Sequence, residues 1–126
     1  MEYRTLGPSG LKVSIVGIGC NNFGRRCDEA TTADVVDSAL EVGINFFDTA
    51  DVYGPNGLSE EYLGKALRGK NRSQVIIATK YASPMGEGDL MEGGSRRYIF
   101  NAVDASLRRL GTDYIDLYQQ HVPDAD

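Results

Sequence analysis

Short apolar segments alternate along this chain with segments of helical periodicity, and this alternation restricts the fold more than any other feature. The apolar segments span residues 13–18, 44–47, 74–79 and 114–118, and the helical segments span residues 28–42, 59–68 and 95–110. Strands with few polar residues, joined by helical crossovers, are typical of a parallel sheet covered by helices. The sequence therefore predicts an α/β fold, either an open doubly wound sheet or part of a (βα)8 barrel.

The ends of these segments carry residues that start and stop secondary structure. A hairpin is predicted before the first strand, because Pro8 and Gly10 supply a turn between two short β-prone segments. N-cap candidates for the first helix are Asp28, Thr31 and Thr32, and the glycines expected to end the three helices are Gly43, Gly69 and Gly111. Residues 82–94 are rich in Gly, Pro, Ser and acidic residues, which indicates a long loop. The predicted order is a β-hairpin, three βα units and a fourth strand.

Four titratable residues follow the predicted strands. Asp48, Lys80 and His121 each come at or just past the end of a strand, and Tyr53 lies in the loop after Asp48. The carboxyl ends of parallel strands share one rim, where barrel enzymes place their active sites. Each residue taken singly also has a purely structural explanation. Asp48 could cap a turn, and Tyr53 could pack its ring in the loop. Lys80 could be a solvated residue at a strand end, and His121 could be a polar residue with its hydrogen bonds satisfied. Their convergence on one rim favours the barrel and a catalytic site.

Such a set of residues suits the delivery of a proton to a carbonyl. An ammonium beside a phenol favours the phenolate, so Tyr53 beside Lys80 is expected to act as a general acid. Asp48 would hold Lys80 charged and in place. His121 could hydrogen-bond a substrate carbonyl and stabilise negative charge on its oxygen. The hydride for the reduction would have to come from a cofactor.

Several motifs closely resemble those of the aldo-keto reductase family. Residues 43–54 read GINFFDTADVYG and are similar to the family signature, and residues 75–80 resemble the strand that ends in the family's catalytic lysine. Residues 106–118 resemble the segment that leads to the catalytic histidine, which here is His121. The opening RTLG and LKVS resemble the hairpin that closes the barrel floor, so the resemblance runs from residue 3 to residue 123.

The resemblance implies an oxidoreductase with a (βα)8 TIM barrel that reduces aldehydes or ketones with NADPH, or with NADH. The catalytic tetrad it implies is Asp48, Tyr53, Lys80 and His121. The residues it places near the nicotinamide end of the cofactor are Gly19, Cys20, Asn21 and Asp48. Many members have Thr and then an aromatic residue at positions 20 and 21, so this chain departs from the family pattern there.

A whole (βα)8 barrel needs about 250 residues, and this chain has 126. Residues 1–126 are thus expected to form a single partial NADP-dependent oxidoreductase domain, the N-terminal half of the barrel, which stops after the fourth strand. The chain could be an inactive fragment, a half-barrel that assembles with a second half or with itself, or a non-catalytic remnant. Unpaired sheet edges invite self-association. Two other functions stay open, namely a regulatory protein related to channel β-subunits and a barrel enzyme with Lys80 as a Schiff-base nucleophile.

Composition limits the partners. A net charge of −5 argues against nucleic-acid binding, and no apolar segment approaches the about 18 residues of a membrane span. Cys20 and Cys27 could form a disulfide, but reduced thiols in the cytoplasm are the expected state. Their spacing fits no metal motif, and with one histidine in the chain we expect no metal site. The glycines Gly17, Gly19 and Gly24 have the spacing G-x-G-x4-G, which is not the dinucleotide fingerprint of a Rossmann fold. A small-molecule carbonyl substrate remains the expected partner.

Overall fold

The computed structural model of the chain describes residues 1–125. It contains a hairpin, four further strands and three α-helices, in the order β1 (Tyr3–Thr5), β2 (Lys12–Ser14), β3 (Ile18–Gly19), α1 (Glu29–Glu41), β4 (Phe46–Asp48), α2 (Leu58–Leu67), β5 (Ile76–Tyr81), α3 (Arg96–Leu110) and β6 (Leu117–Gln120). Within the described residues no helix has the length and apolar character needed to cross a membrane. The predicted hairpin and the alternation of strands and helices are confirmed.

The four later strands form one parallel sheet in the order β3-β4-β5-β6, which is also their order along the chain. A doubly wound sheet reverses its strand order part-way and carries helices on both faces. Here the strands advance in one direction, and α2 packs against both α1 and α3. Right-handed crossovers in one direction place all helices on one side of the sheet. The sheet is therefore the beginning of a barrel.

Side chains that alternate across the strands build the core between the sheet and the helices. Phe47 of β4 and Ile77 of β5 are fully buried there, and they form one cluster with Val36, Leu63 and Leu110 of the three helices. The neighbouring side chains point to the opposite face, where three apolar residues stay half-buried: Phe46, Ile76 and Leu117. This opposite face corresponds to the interior of a barrel.

The close contact of α2 and α3 depends on a glycine. A Cβ atom on Gly64 would lie 2.4 Å from the carbonyl oxygen of Leu110, well inside van der Waals contact. Any larger residue at position 64 would push the two helices apart.

The caps of the helices follow the prediction, since the carboxylate of Asp28 accepts the N–H of Thr31 at 2.8 Å and Gly111 ends α3 in the left-handed conformation.

The prediction of one buried strand over Val13–Ile18 is wrong. The segment is divided between β2 of the hairpin and β3 of the parallel sheet, and Ile15 and Val16 between them are 52% and 51% exposed. The Ser14 hydroxyl donates to the carbonyl of Val16 at 2.7 Å across this bend, and Gly17 packs against Phe46, where a Cβ atom would stand 2.8 Å from the Phe46 ring. An apolar run by itself does not reveal such a bend.

The last strand begins three residues later than predicted. Arg72 donates to the carbonyl of Tyr114 at 3.0 Å and to Asp116 Oδ2 at 2.7 Å. The same Asp116 oxygen accepts the N–H of Ile77 at 2.9 Å. Side-chain hydrogen bonds of Arg72 and Asp116 thus hold this segment beside β5, and the register pairing of β6 with β5 starts at Leu117.

Candidate active site

The four predicted catalytic residues lie at one end of the parallel sheet. Asp48 is the last residue of β4, Lys80 is the next-to-last residue of β5, and His121 directly follows β6. Tyr53 lies in the loop between β4 and α2. Because the strands are parallel, their carboxyl ends coincide, and the structure brings all four side chains together as the strand-end positions predict.

Lys80 is the centre of this group. Its ammonium donates to Asp48 Oδ2 at 2.8 Å and to the carbonyl of Thr49 at 2.8 Å, and it lies 3.5 Å from the phenol oxygen of Tyr53. The ammonium also lies 4.9 Å from the centre of the Tyr53 ring. The Lys80 side chain is 13% exposed and that of Asp48 is 38% exposed, so solvent partly screens the charge interaction between them. The arrangement can hold a positive charge beside a phenol.

His121 faces Tyr53 from the neighbouring strand. The two rings meet edge to face, with centroids 5.5 Å apart and an interplanar angle of 85°. The backbone N–H of His121 donates to the carbonyl of Tyr81 at 2.8 Å, which extends the pairing of β5 and β6 by one residue. Ser83 Oγ lies 3.5 Å from Nδ1 of the ring. Strand pairing therefore sets the position of the imidazole beside the phenol.

The imidazole of His121 favours its neutral form. Burial lowers the pKa of His121 below its ordinary value, the nearby charge of Lys80 lowers it further, and Asp48 opposes both. The unfolded chain thus binds more protons than the folded chain as the pH falls. The folded chain has its full stability above the ordinary pKa of histidine, and part of it is lost as the pH falls from that value through the lower pKa of the folded state.

His121 should titrate below 6.5, the ordinary value for histidine. The chain has a single histidine, so one Cε1–H resonance reports this titration directly by NMR. Replacing Lys80 by methionine should raise the pKa of His121, because the variant removes a positive charge and leaves Asp48 as the nearby charge. A midpoint above 6.5 in the unmodified chain, or an unchanged midpoint in Lys80→Met, would contradict the arrangement described above.

Gln119 is a site residue that the sequence reasoning missed. Its side-chain amide donates to Asp48 Oδ1 at 3.1 Å, so that Lys80 and Gln119 each bind one oxygen of this carboxylate. Gln119 also pairs in register with Lys80 on the adjacent strand. The strand period could have revealed it, because residues 119 and 121 lie on the same face of β6.

The predicted cofactor segment follows β3. Gly19 pairs in register with Asp48, and no atom lies within 4 Å of the position where its Cβ would be, so the backbone there is open to a ligand. Asn21 is exposed. Cys20 has no exposed surface, because its thiol is part of the core and its carbonyl accepts the Ser59 hydroxyl at 2.7 Å. Cys20 thus offers a cofactor no exposed atom in this structure, while the backbone at Gly19 is open.

Cys20 and Cys27 are both free thiols, and burial raises the pKa of Cys20 well above its usual range. Among residues 1–125, no group of three or more His, Cys, Asp or Glu side chains is placed to hold a metal ion.

Comparisons with known proteins identify the family and the fold. The model of the aldo/keto reductase family matches residues 15–126. The uncharacterized oxidoreductase YrpG of Bacillus subtilis is 44% identical over 96% of this chain and 40% of its own length. A probable voltage-gated potassium channel subunit beta of Arabidopsis thaliana is 41% identical over 99% of this chain and 38% of its own. The holo form of the aldo-keto reductase AKR11C1 from Bacillus halodurans superposes with a TM-score of 0.83 at 47% identity, over 95% of this chain and 40% of that one. The chain thus spans about two fifths of the length of these relatives, and its sheet is part of a TIM barrel.

Proposed function

The chain belongs to the aldo/keto reductase family, and we propose that it carries the catalytic groups of an enzyme that reduces aldehydes or ketones with NADPH. One observation carries this proposal, namely the contact of a single ammonium, that of Lys80, with both the Asp48 carboxylate and the Tyr53 phenol. We also propose a cytoplasmic location, which suits a chain whose two thiols are free.

Each side chain of the group has one role in the proposed reaction. The nicotinamide supplies the hydride when bound. Tyr53 delivers the proton to the carbonyl oxygen, and the charge of Lys80 stabilises the phenolate that remains. Asp48 accepts a hydrogen bond from the Lys80 ammonium and holds it in position. The neutral imidazole of His121 hydrogen-bonds the carbonyl oxygen and stabilises the charge that develops on it.

The cofactor proposal rests on the segment after β3. The open backbone at Gly19, in register with Asp48, supports a nicotinamide ring lying against this strand end. Asn21 is exposed and could contact the same ring or its amide. The preference for NADPH over NADH follows from the resemblance to the family.

A regulatory role is the second candidate function. It is favoured by the relative at 41% identity that is named a probable potassium channel subunit beta. A protein with that role would keep the fold without needing turnover. The two candidates differ in whether a carbonyl compound is consumed, so turnover distinguishes them.

The proposed function is tested by cofactor binding and by turnover. NADPH is titrated into the purified chain, alone and mixed with the C-terminal part of a reductase relative, while quenching of the cofactor fluorescence is followed. Turnover is then measured with a small aldehyde. Binding with turnover would support the reductase, whereas binding without turnover in either preparation would favour the regulatory role. A folded chain that binds no NADPH in either preparation would overturn the reductase proposal.

The isolated chain is expected to self-associate. Strands β3 and β6 are edges of the sheet, and the half-buried residues Phe46, Ile76 and Leu117 leave an apolar face without helices. Sedimentation velocity should show a dimer or a larger species. Leu117→Lys should reduce this association, whereas Leu90→Lys in an exposed loop should leave it unchanged. A monodisperse monomer at all concentrations would count against this proposal.

A further inference from the structure

A buried group of charged residues lies behind the loop that carries Tyr53. Glu60 of α2 is 0% exposed, and its two oxygens are both engaged. One accepts the Thr79 hydroxyl at 2.5 Å, and the other accepts Arg109 Nε of α3 at 2.6 Å. The glutamate and the arginine thus form an ion pair that joins α2, α3 and β5.

Asp51 belongs to the same buried space but lacks such contacts. Its side chain is 1% exposed, and neither of its carboxyl oxygens has a hydrogen-bond partner. The charged groups that face it are Glu60 from α2 and Arg109 from α3. The phenols that face it are Tyr98 from α3 and Tyr118 from β6. Two carboxyl groups therefore share one guanidinium, which is already bound to Glu60.

If Asp51 and Glu60 were both ionised beside Arg109, this buried group would carry one uncompensated negative charge. A buried carboxylate without a partner is costly, so the group binds a proton instead. Burial and the charge of Glu60 raise the pKa of Asp51 to about 7, while Arg109 and the nearby Val52 N–H oppose the rise. The excess of carboxyl groups over guanidinium groups and the lack of hydrogen-bond partners for the Asp51 oxygens both favour the protonated, uncharged form of Asp51.

The backbone connects Asp51 to the catalytic rim. The N–H of Asp51 donates to the carbonyl of Lys80 at 3.2 Å, and the N–H of Tyr53 donates to the carbonyl of Ala50 at 3.2 Å. The carbonyl of Tyr53 accepts the N–H of Ser59 at 3.1 Å. If the Asp51 side chain leaves its buried position to reach water, these three hydrogen bonds have to adjust with it.

We propose that Asp51 is a positioning residue for Tyr53, uncharged while residues 49–57 are ordered, and that its ionisation loosens this loop. Order of the loop does not depend on turnover, and only the consequence for catalysis rests on the proposed function. An open loop would expose Asp51 to water, where it ionises at an ordinary pKa. The open state is therefore favoured as the pH rises from the ordinary value toward about 7, and the effect levels off above that.

The unmodified chain provides the first test. The side-chain carbonyl of Asp51, labelled with ¹³C, should titrate near 7 in the folded chain. Hydrogen exchange should show the opening constant of the Asp51, Tyr53 and Ser59 amides rising about tenfold per pH unit between about pH 5 and 6.5. The Ile76 amide, bound to the carbonyl of Asn45 at 2.7 Å, serves as the reference and should not change. A carboxyl that titrates at the ordinary value for aspartate would overturn the proposal.

Two variants separate this role from a merely structural one. Asp51→Asn removes the ionisation and should flatten the pH profile of the three loop amides, while Asp104→Asn, an exposed carboxylate on α3, should keep the profile of the unmodified chain. An unchanged profile in a folded Asp51→Asn chain would overturn the proposal. If Asp51→Asn does not fold, the carboxyl titration and the amide exchange of the unmodified chain still decide. Neither readout requires NADPH or an aldehyde, so a failed turnover assay leaves this result intact.

Discussion

Replacing Tyr53 by phenylalanine should lower the kcat of aldehyde reduction by about 100- to 10,000-fold, the usual contribution of a general acid. The variant removes the phenol oxygen that lies 3.5 Å from the Lys80 ammonium and leaves the ring beside His121. The measurement is single-turnover and steady-state oxidation of NADPH, made with whichever preparation of the chain turns the aldehyde over.

The control for this variant is Tyr114→Phe, because Tyr114 is exposed, its ring contacts Arg72, and it precedes β6, at the end of that strand opposite the rim. It should keep the kcat of the unmodified chain. NADPH binding should be the same in both variants, since the phenol is not part of the segment near Gly19. Full activity in Tyr53→Phe would remove the general acid from the proposed mechanism and would point to another proton donor.

Replacing Arg109 by methionine should destabilise the folded chain by about 3–5 kcal/mol, the cost of breaking a buried ion pair by removing one partner. The variant leaves the fully buried Glu60 without its cation. It also removes a side chain that packs against Gly57, where a Cβ atom would stand 2.5 Å from Arg109 Cδ. Urea unfolding followed by circular dichroism measures the change in the free energy of unfolding.

The neighbouring Arg108 offers a matched control. It is exposed on α3 and makes no ion pair in the described residues, so Arg108→Met should change the free energy of unfolding by less than about 0.5 kcal/mol. If Asp51 also depends on Arg109, the gap between the two variants should be larger at about pH 8 than at about pH 5.5. Equal stabilities of the two variants would show that the buried pair contributes little to the fold.

Much of the fold could be predicted because its signals are local. Each apolar strand and each helical face repeats within a few residues, and the glycines and caps stand beside the segments they end. The positions of Asp48, Lys80 and His121 followed from one further rule, that the ends of parallel strands share a rim. The sequence by itself thus determined the order of the elements and which side chains meet around Lys80.

Other features depend on contacts between residues far apart in the chain. The bend at Ile15 and Val16 is followed by the close approach of Gly17 to Phe46, and the run of apolar residues does not encode that contact. The burial of Cys20 follows from the packing of β3 against the helices. The raised pKa of Asp51 depends on its burial and on the charges of Glu60 and Arg109. Only the tertiary structure decided these points, because burial and electrostatic energies are set by neighbours that come together in space and not in sequence.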